Sequence, residues 1–165
     1  MSNQQNSSLA RQVLTDPVHF LAFGFGTGLG PAAPGTWGSL LAVVAYALVM
    51  PVPPVWLAVT VAVLFVLGIW ICGVSSRRLG VHDHGGIVWD EIVGMLAVCL
   101  AVPPEPVWLL AAFLAFRLFD IWKPWPIRDL DHSLSGGLGI MLDDVLAAAY
   151  AALLTGLLQR FIAAA

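Results

Sequence analysis

His82-Asp-His-Gly-Gly-Ile-Val-Trp-Asp-Glu91 runs directly into an apolar stretch, Ile92 to Val102. Two adjacent carboxylates, Asp90 and Glu91, therefore stand at the mouth of a hydrophobic segment. Charge beside hydrocarbon must pair, bind a metal or be neutralised by a proton. Fold-building alone does not call for two such groups together. The first turn of a helix does accept carboxylates, because its free N–H groups carry partial positive charge. The pair thus has a bland reading, a helix start, and a functional one. What the rest of the chain brings to the same place decides between them.

Composition sets the solvent. Hydrophobic residues make up 59% of the 165 and charged residues 10%. Soluble globular chains carry about 25% charged residues, so a polar outer surface cannot be covered here. Mean hydropathy is +0.89. The expectation is an all-α, polytopic membrane bundle of four to five hydrophobic segments, with Gly/Pro-rich loops gathered at one face. A net charge of -3 gives no footprint for nucleic acid. Cys72 and Cys99 both lie in apolar runs and suggest neither a disulfide nor a zinc site. Residues 1–17 read as a flexible polar tail. The apolar stretch after them is short and glycine-broken, a poor signal peptide.

The segments follow in order. Val18 to Phe25 is a short apolar piece suited to an interface. Gly26 to Ser39 is so rich in glycine and proline that a continuous helix is excluded. Leu40 to Met50 is the first hydrophobic run, and Pro51-Val-Pro-Pro54 stops it. Val55 to Val74 has about the 20 residues a span needs and ends at Ser75-Ser-Arg-Arg78. The Ile92–Val102 run is third, Val107 to Trp122 fourth. A polar loop, Lys123 to Gly139, precedes the fifth, Val145 to Ala163, whose alanines and Gly156 suit helix packing.

Alternating crossings bring the charges together. Counting from Gly35–Ser39, one face collects Arg77, Arg78, Asp90, Glu91, Arg117, Asp120, Lys123, Asp143 and Asp144. The far face receives Glu105 and Arg160. The excess of Arg and Lys makes the crowded face cytoplasmic under the positive-inside rule.

Chemistry follows from the types present. Arg117, Asp120 and Lys123 are spaced three apart, a stripe on one helix face; Pro124 should end that helix. A forked Arg and a point-charge Lys suit phosphate oxygens, although Arg117 with Asp120 also reads as a simple ion pair. Asp143 and Asp144 follow Gly136-Gly-Leu-Gly139, and one of them is expected to cap the fifth helix. Together the carboxylates suit a hard cation, Mg²⁺ rather than zinc. His82 and His84 have zinc-like spacing but lack further nitrogen or sulfur ligands, and Asp83 between them is the better candidate for a role. His19 and His132 carry no assignment. Gly30-Pro-Ala-Ala-Pro-Gly-Thr36 has P-loop glycine spacing with Thr36 at the lysine position; its amides could still face an anion. Cys72 to Arg78 matches the C-x5-R spacing of cysteine phosphatases, but Cys72 lies near the end of an apolar helix rather than in an activating loop.

Five blocks carry a family likeness: Gly24-Phe-Gly-Thr-Gly-Leu-Gly-Pro31, Pro34-Gly-Thr-Trp-Gly-Ser-Leu40, His82 to Glu91, Phe116-Arg-Leu-Phe-Asp-Ile-Trp-Lys-Pro-Trp-Pro-Ile127, and Gly136-Gly-Leu-Gly-Ile-Met-Leu-Asp-Asp144. They resemble the phosphatidylglycerophosphatase A family from about Val18 to Tyr150. The resemblance implies a Mg²⁺-dependent lipid phosphatase of the bacterial inner membrane. Its substrate would be phosphatidylglycerophosphate and its product phosphatidylglycerol. Residues 18–165 would form a single membrane-embedded catalytic domain with its site on the cytoplasmic face. Asp90, Glu91, Asp120, Asp143 and Asp144 are then the candidate metal ligands. Asp90, Glu91, Asp120 and Asp144 are the catalytic candidates, and Thr36, Arg117 and Lys123 would bind the substrate. The rival class is an ion- or proton-coupled transporter using intramembrane carboxylates. That class predicts mid-membrane acids and inverted repeats, and the chain shows acids at run ends and no repeat.

Overall fold

Proline sets the starts of four helices. It cannot donate a backbone hydrogen bond and its φ suits the first turn, where no partner for the N–H exists. In the computed structural model, which describes residues 3–81 and 84–164 (side chains of 3–6 and 131–133 excepted), Pro17, Pro34, Pro54 and Pro106 each open a helix. The described residues form eight α-helices: α1 Asn3–Thr15, α2 Pro17–Ala22, α3 Pro34–Val49, α4 Pro54–Leu79, α5 Trp89–Cys99, α6 Pro106–Trp122, α7 Ile127–Ser133 and α8 Gly136–Ala164. A 3-10 turn, Thr27–Leu29, lies before α3. The all-α expectation holds.

Helix α5 is the axis. Nine of its 11 residues are buried, and it packs on α3, α4, α6 and α8. Glycine makes the closest approaches possible. A Cβ on Gly94 would sit 2.8 Å from the Phe116 ring and 3.1 Å from the Asp144 carbonyl. Gly38 lets α3 close on Val88, just before α5: a Cβ there would be 2.9 Å from Val88 Cβ. The Trp89 indole N–H donates to the Leu64 carbonyl on α4, 3.1 Å away, which pins the start of α5. Two apolar clusters flank this axis. One, around Met95, Leu109, Phe116 and Ala147, fills the α3–α5–α6–α8 interior. The other, around Phe23, Ile71, Trp89 and Met141, seats α1 and α2 on α4.

The structure moves several boundaries. Helix α3 begins at Pro34, so Pro34 to Ser39 is helical rather than irregular. Helix α5 stops at Cys99, short of Val102. The stretch expected to be a polar loop, Lys123 to Gly139, contains α7 and the first turn of α8. The reason lies in Gly136-Gly-Leu-Gly139. Gly136, at φ +79°, makes the turn into α8, while Gly137 and Gly139 serve close packing: a Cβ on Gly137 would strike the Ile69 carbonyl on α4. Residues 1–17 carry α1, whose Val13 is fully buried. By length and composition two helices, Pro54–Leu79 and Gly136–Ala164, are able to cross a bilayer, against the four to five segments expected. Helices α3, α5 and α6 are shorter, at 16, 11 and 17 residues.

Candidate active site

The site forms where the start of α5 meets the start of α3, the end of α6 and the third turn of α8. Asp90 and Glu91 occupy the first turn of α5, where free N–H groups favour negative charge. Asp144 arrives from α8. One carboxylate oxygen each from Asp90, Glu91 and Asp144 lies within 4.8 Å of the other two. Asp90 is 8% exposed and Asp144 2%. Three of their oxygens, Asp90 Oδ1, Glu91 Oε2 and Asp144 Oδ2, are buried without a hydrogen-bond partner.

Arg117, from the last turns of α6, faces this trio. Its Nη1 is ion-paired with Asp120, one turn along, and lies 3.8 Å from Glu91 Oε1. Asp120 in turn neighbours Asp144. The first turn of α3 closes the other side. A Cβ on Gly35 would come 2.9 Å from Arg117 Nη1 and overlap Glu91 Oε1. Absence of a side chain at Gly35 therefore makes the space that Glu91 uses. Thr36 follows in the same turn; its amide donates to the Ala33 carbonyl at 2.9 Å.

Helix α6 ends at Trp122, as Pro124 predicted, and Lys123 caps it with left-handed backbone, φ 45°. That turn swings Lys123 off the α6 stripe toward α8, where Nζ meets Asp143 Oδ2 at 2.6 Å. Asp143 Oδ1 accepts the amide of Asp144 at 3.0 Å. Neither aspartate caps the helix, contrary to expectation, because α8 starts at Gly136, two turns earlier. Successive helical residues point about 100° apart, so Asp144 faces the trio while Asp143 faces Lys123.

The arrangement suits a hard cation. Five carboxylates, Asp90, Glu91, Asp120, Asp143 and Asp144, gather beside two cations, Arg117 and Lys123. Buried carboxylates in such excess require protons or a bound cation, and partnerless oxygens on three helix-borne acids are the donor set that a divalent ion takes.

Other candidates separate from the site. His84 accepts the Gly86 amide at 3.1 Å and packs on Phe23. His82, Asp83 and the His132 side chain lie outside the described residues. His19 Nδ1 and Ser75 Oγ form a buried hydrogen bond of 2.8 Å. Arg78 pairs with Asp16 at 2.6 Å, away from the acids. Cys72 is fully buried within α4, which excludes the cysteine-phosphatase reading. Reading the sequence missed two things: the role of Gly35, signalled only by proline followed by glycine at a helix start, and the Lys123–Asp143 pair, which joins residues 20 apart.

The family model described as phosphatidylglycerophosphatase A matches residues 20–159. A Haemophilus influenzae protein named phosphatidylglycerophosphatase A is 46% identical over 157 residues, covering 94% of this chain and 96% of the relative. An Escherichia coli protein of the same name is 43% identical over 139 residues, 84% of this chain and 81% of the relative. A Bacteroides thetaiotaomicron protein, provisionally named a phosphatidylinositol-3-phosphatase, is 40% identical over 139 residues, 79% of this chain and 86% of the relative. No solved structure is significantly similar. The five sequence blocks, the clustered acids and these full-length likenesses agree, and the chain belongs to the phosphatidylglycerophosphatase A family.

Proposed function

We propose that the chain hydrolyses the terminal phosphate monoester of phosphatidylglycerophosphate, releasing phosphatidylglycerol and inorganic phosphate. Two relatives that share more than two fifths of its sequence carry the name of that activity. The observation that carries the site assignment is the trio Asp90, Glu91 and Asp144, with its three partnerless buried oxygens beside Arg117. These three are the residues that would hold Mg²⁺. Bound there, the ion supplies positive charge to offset the phosphate dianion and acidifies a water.

The chain's own groups do the rest. The Arg117 guanidinium presents a fork to two phosphoryl oxygens, and Glu91 and Asp120 fix its direction. Its charge stabilises the transition state, where negative charge spreads over those oxygens. Water attacks phosphorus, a carboxylate of the cluster takes the water's proton, and the P–O bond to the lipid glycerol breaks. The leaving alkoxide collects a proton as phosphatidylglycerol departs. Lys123, held on Asp143, adds a second positive charge at the rim. Thr36 stands in the first turn of α3, a helix start suited to an anion.

The chain is read as multi-pass in the inner membrane. The reading of the site as cytoplasmic is supported by Arg77, Arg78, Arg117, Lys123 and Arg128 on the site side of the crossing count, against Arg160 on the other.

Phosphate release from detergent-dispersed phosphatidylglycerophosphate by purified protein with Mg²⁺ is the test, with phosphatidylinositol 3-phosphate run in parallel. Release from the glycerophosphate lipid that Asp90→Asn and Asp144→Asn both abolish is expected. Activity at wild-type level in both variants would sink the site, and preference for the inositol lipid would sink the substrate.

A further inference from the structure

The apolar surface of the bundle has a measurable thickness, and two pairs of tryptophans, on α4 and α6, give it. On α4 the exposed side chains Val55, Trp56, Val59, Val63, Val66 and Trp70 form one stripe at helical spacing. Trp56 and Trp70 stand about 21 Å apart at the α-helical rise. On α6 the exposed stripe runs Val107, Leu110, Leu114, Leu118 and Ile121, and Trp108 and Trp122 stand the same distance apart, about 21 Å.

Tryptophan favours the level of lipid headgroups, and charges mark the end of hydrocarbon. A typical hydrocarbon core is about 30 Å thick. The tryptophan pairs on this chain fall short of that by about 9 Å, and any helix tilt widens the gap. The same shortfall accounts for the span count: α3 and α6 expose lipid-facing stripes, Trp37 to Val49 and Val107 to Trp122, yet are too short for a normal bilayer.

We propose that this protein embeds through α3, α4, α6 and α8 and that the bilayer thins locally to meet it. The occupant of the apolar faces is lipid of shortened effective chain length. The consequence for the site is direct. Asp120 is two residues before Trp122, and Asp144 starts the charge-free stretch of α8. The carboxylates thus lie level with the headgroups, where a lipid phosphate already sits, and substrate need not be lifted from the bilayer. This rests on the reading of the chain as membrane-embedded, not on its being a phosphatase.

The test is reconstitution of the full chain in vesicles of dimyristoleoyl-, dioleoyl- or dierucoyl-phosphatidylcholine, each in competition with dibrominated dioleoyl lipid. Quenching of tryptophan fluorescence reads the relative affinity of each lipid for the protein surface without any catalysis. Short chains are expected to bind at least about threefold more tightly than long ones, as mismatch of several ångströms demands. Equal affinities, or a preference for dioleoyl or dierucoyl lipid, overturn the proposal and place the site sunk within a bilayer of ordinary thickness. A second readout uses a variant with Trp37, Trp56, Trp70, Trp108 and Trp125 changed to Phe, so that Trp122 is the exposed indole. In dimyristoleoyl vesicles, bromines near the headgroup should quench it more than bromines near the chain end; the reverse order also overturns the proposal. Phosphate release assayed in the same vesicles separates the two claims. Lipid preference without phosphate release would reject the enzyme reading and leave the thinning intact.

Discussion

The two ends of the bundle are built on opposite terms. At the site end, the starts of α3 and α5, the end of α6 and the third turn of α8 converge on acids whose oxygens lack partners. At the far end, Tyr46, Leu57, Cys99, Val102 and Leu109 close an apolar interior, with a small cavity of about 260 Å³ among Tyr46, Met50, Leu57 and Cys99. The far end gains from every buried contact. The site end carries like charges held close, which oppose folding and await a ligand. Stability and activity should therefore respond to different ends of one molecule.

The sharpest way to break that contrast is at Asp90 and Asp144. Asp90→Asn and Asp144→Asn should each lower kcat by about a thousandfold or more, since loss of an essential ligand removes several kcal/mol of transition-state stabilisation. Both should melt at or above the wild-type temperature without Mg²⁺, because a like charge is gone; a lower melting point would show that the acids hold the fold. At the other end, Leu109→Ala leaves a cavity in the α5–α6 interior. It should cost about 2–5 kcal/mol of stability, seen in thermal unfolding in detergent, with kcat per folded molecule unchanged. Gly35→Ala joins the two ends of the comparison. A methyl there overlaps Glu91 and crowds Arg117, and displacement of about 1 Å at a reacting centre can cost about a hundredfold in rate. Steady-state kinetics should show that fall in kcat, with little change in melting.

Asp16 gives the smallest effect. Burial pushes its carboxyl up, but the amides of Val18 and His19 and the Arg78 charge outweigh burial and hold it below its ordinary value of 3.8. A depressed folded-state value adds stability above the unfolded value, lost as pH falls through the folded one. Arg78 is half exposed and Asp16 30% exposed, so the pair should be worth at most about 1 kcal/mol. Asp16→Asn should lower the melting point slightly at neutral pH, and the difference should vanish well below pH 3.8. Persistence of the gap in acid would assign it to the cap hydrogen bonds instead.

Much of the site end could be read from residues. Asp90 and Glu91 announce themselves because carboxylates ahead of an apolar run are costly, and alternation of hydrophobic runs brings Arg117, Asp120 and Asp144 to the same end. Local rules also placed the end of α6 before Lys123-Pro124. Glycine defeated the reading at Gly35 and Gly137. A glycine in sequence signals turn or close contact alike, and only the partner decides: at Gly94 it is Phe116 and Asp144, at Gly137 the Ile69 carbonyl. Lys123–Asp143 was out of reach for a similar reason. The helical stripe predicts Lys123 beside Asp120, but the left-handed turn at Lys123 redirects it to another helix. Of the four to five hydrophobic segments expected, two are helices long and apolar enough to cross a bilayer.

The burial of α5 bears on how the protein is made. A helix of 11 residues rises about 16 Å, too little to cross, and its first turn carries two acids. It cannot enter the bilayer as an independent unit. It needs α4, already synthesised, and α8, which is not, since Asp144 and its carbonyl against Gly94 come from α8. A chain truncated before Gly136 should be degraded rapidly in cells, as pulse-chase labelling would show; a long-lived fragment would refute the dependence. The placement of Asp90 and Glu91 is thus completed only once α8 has been made, well after α5 itself has emerged.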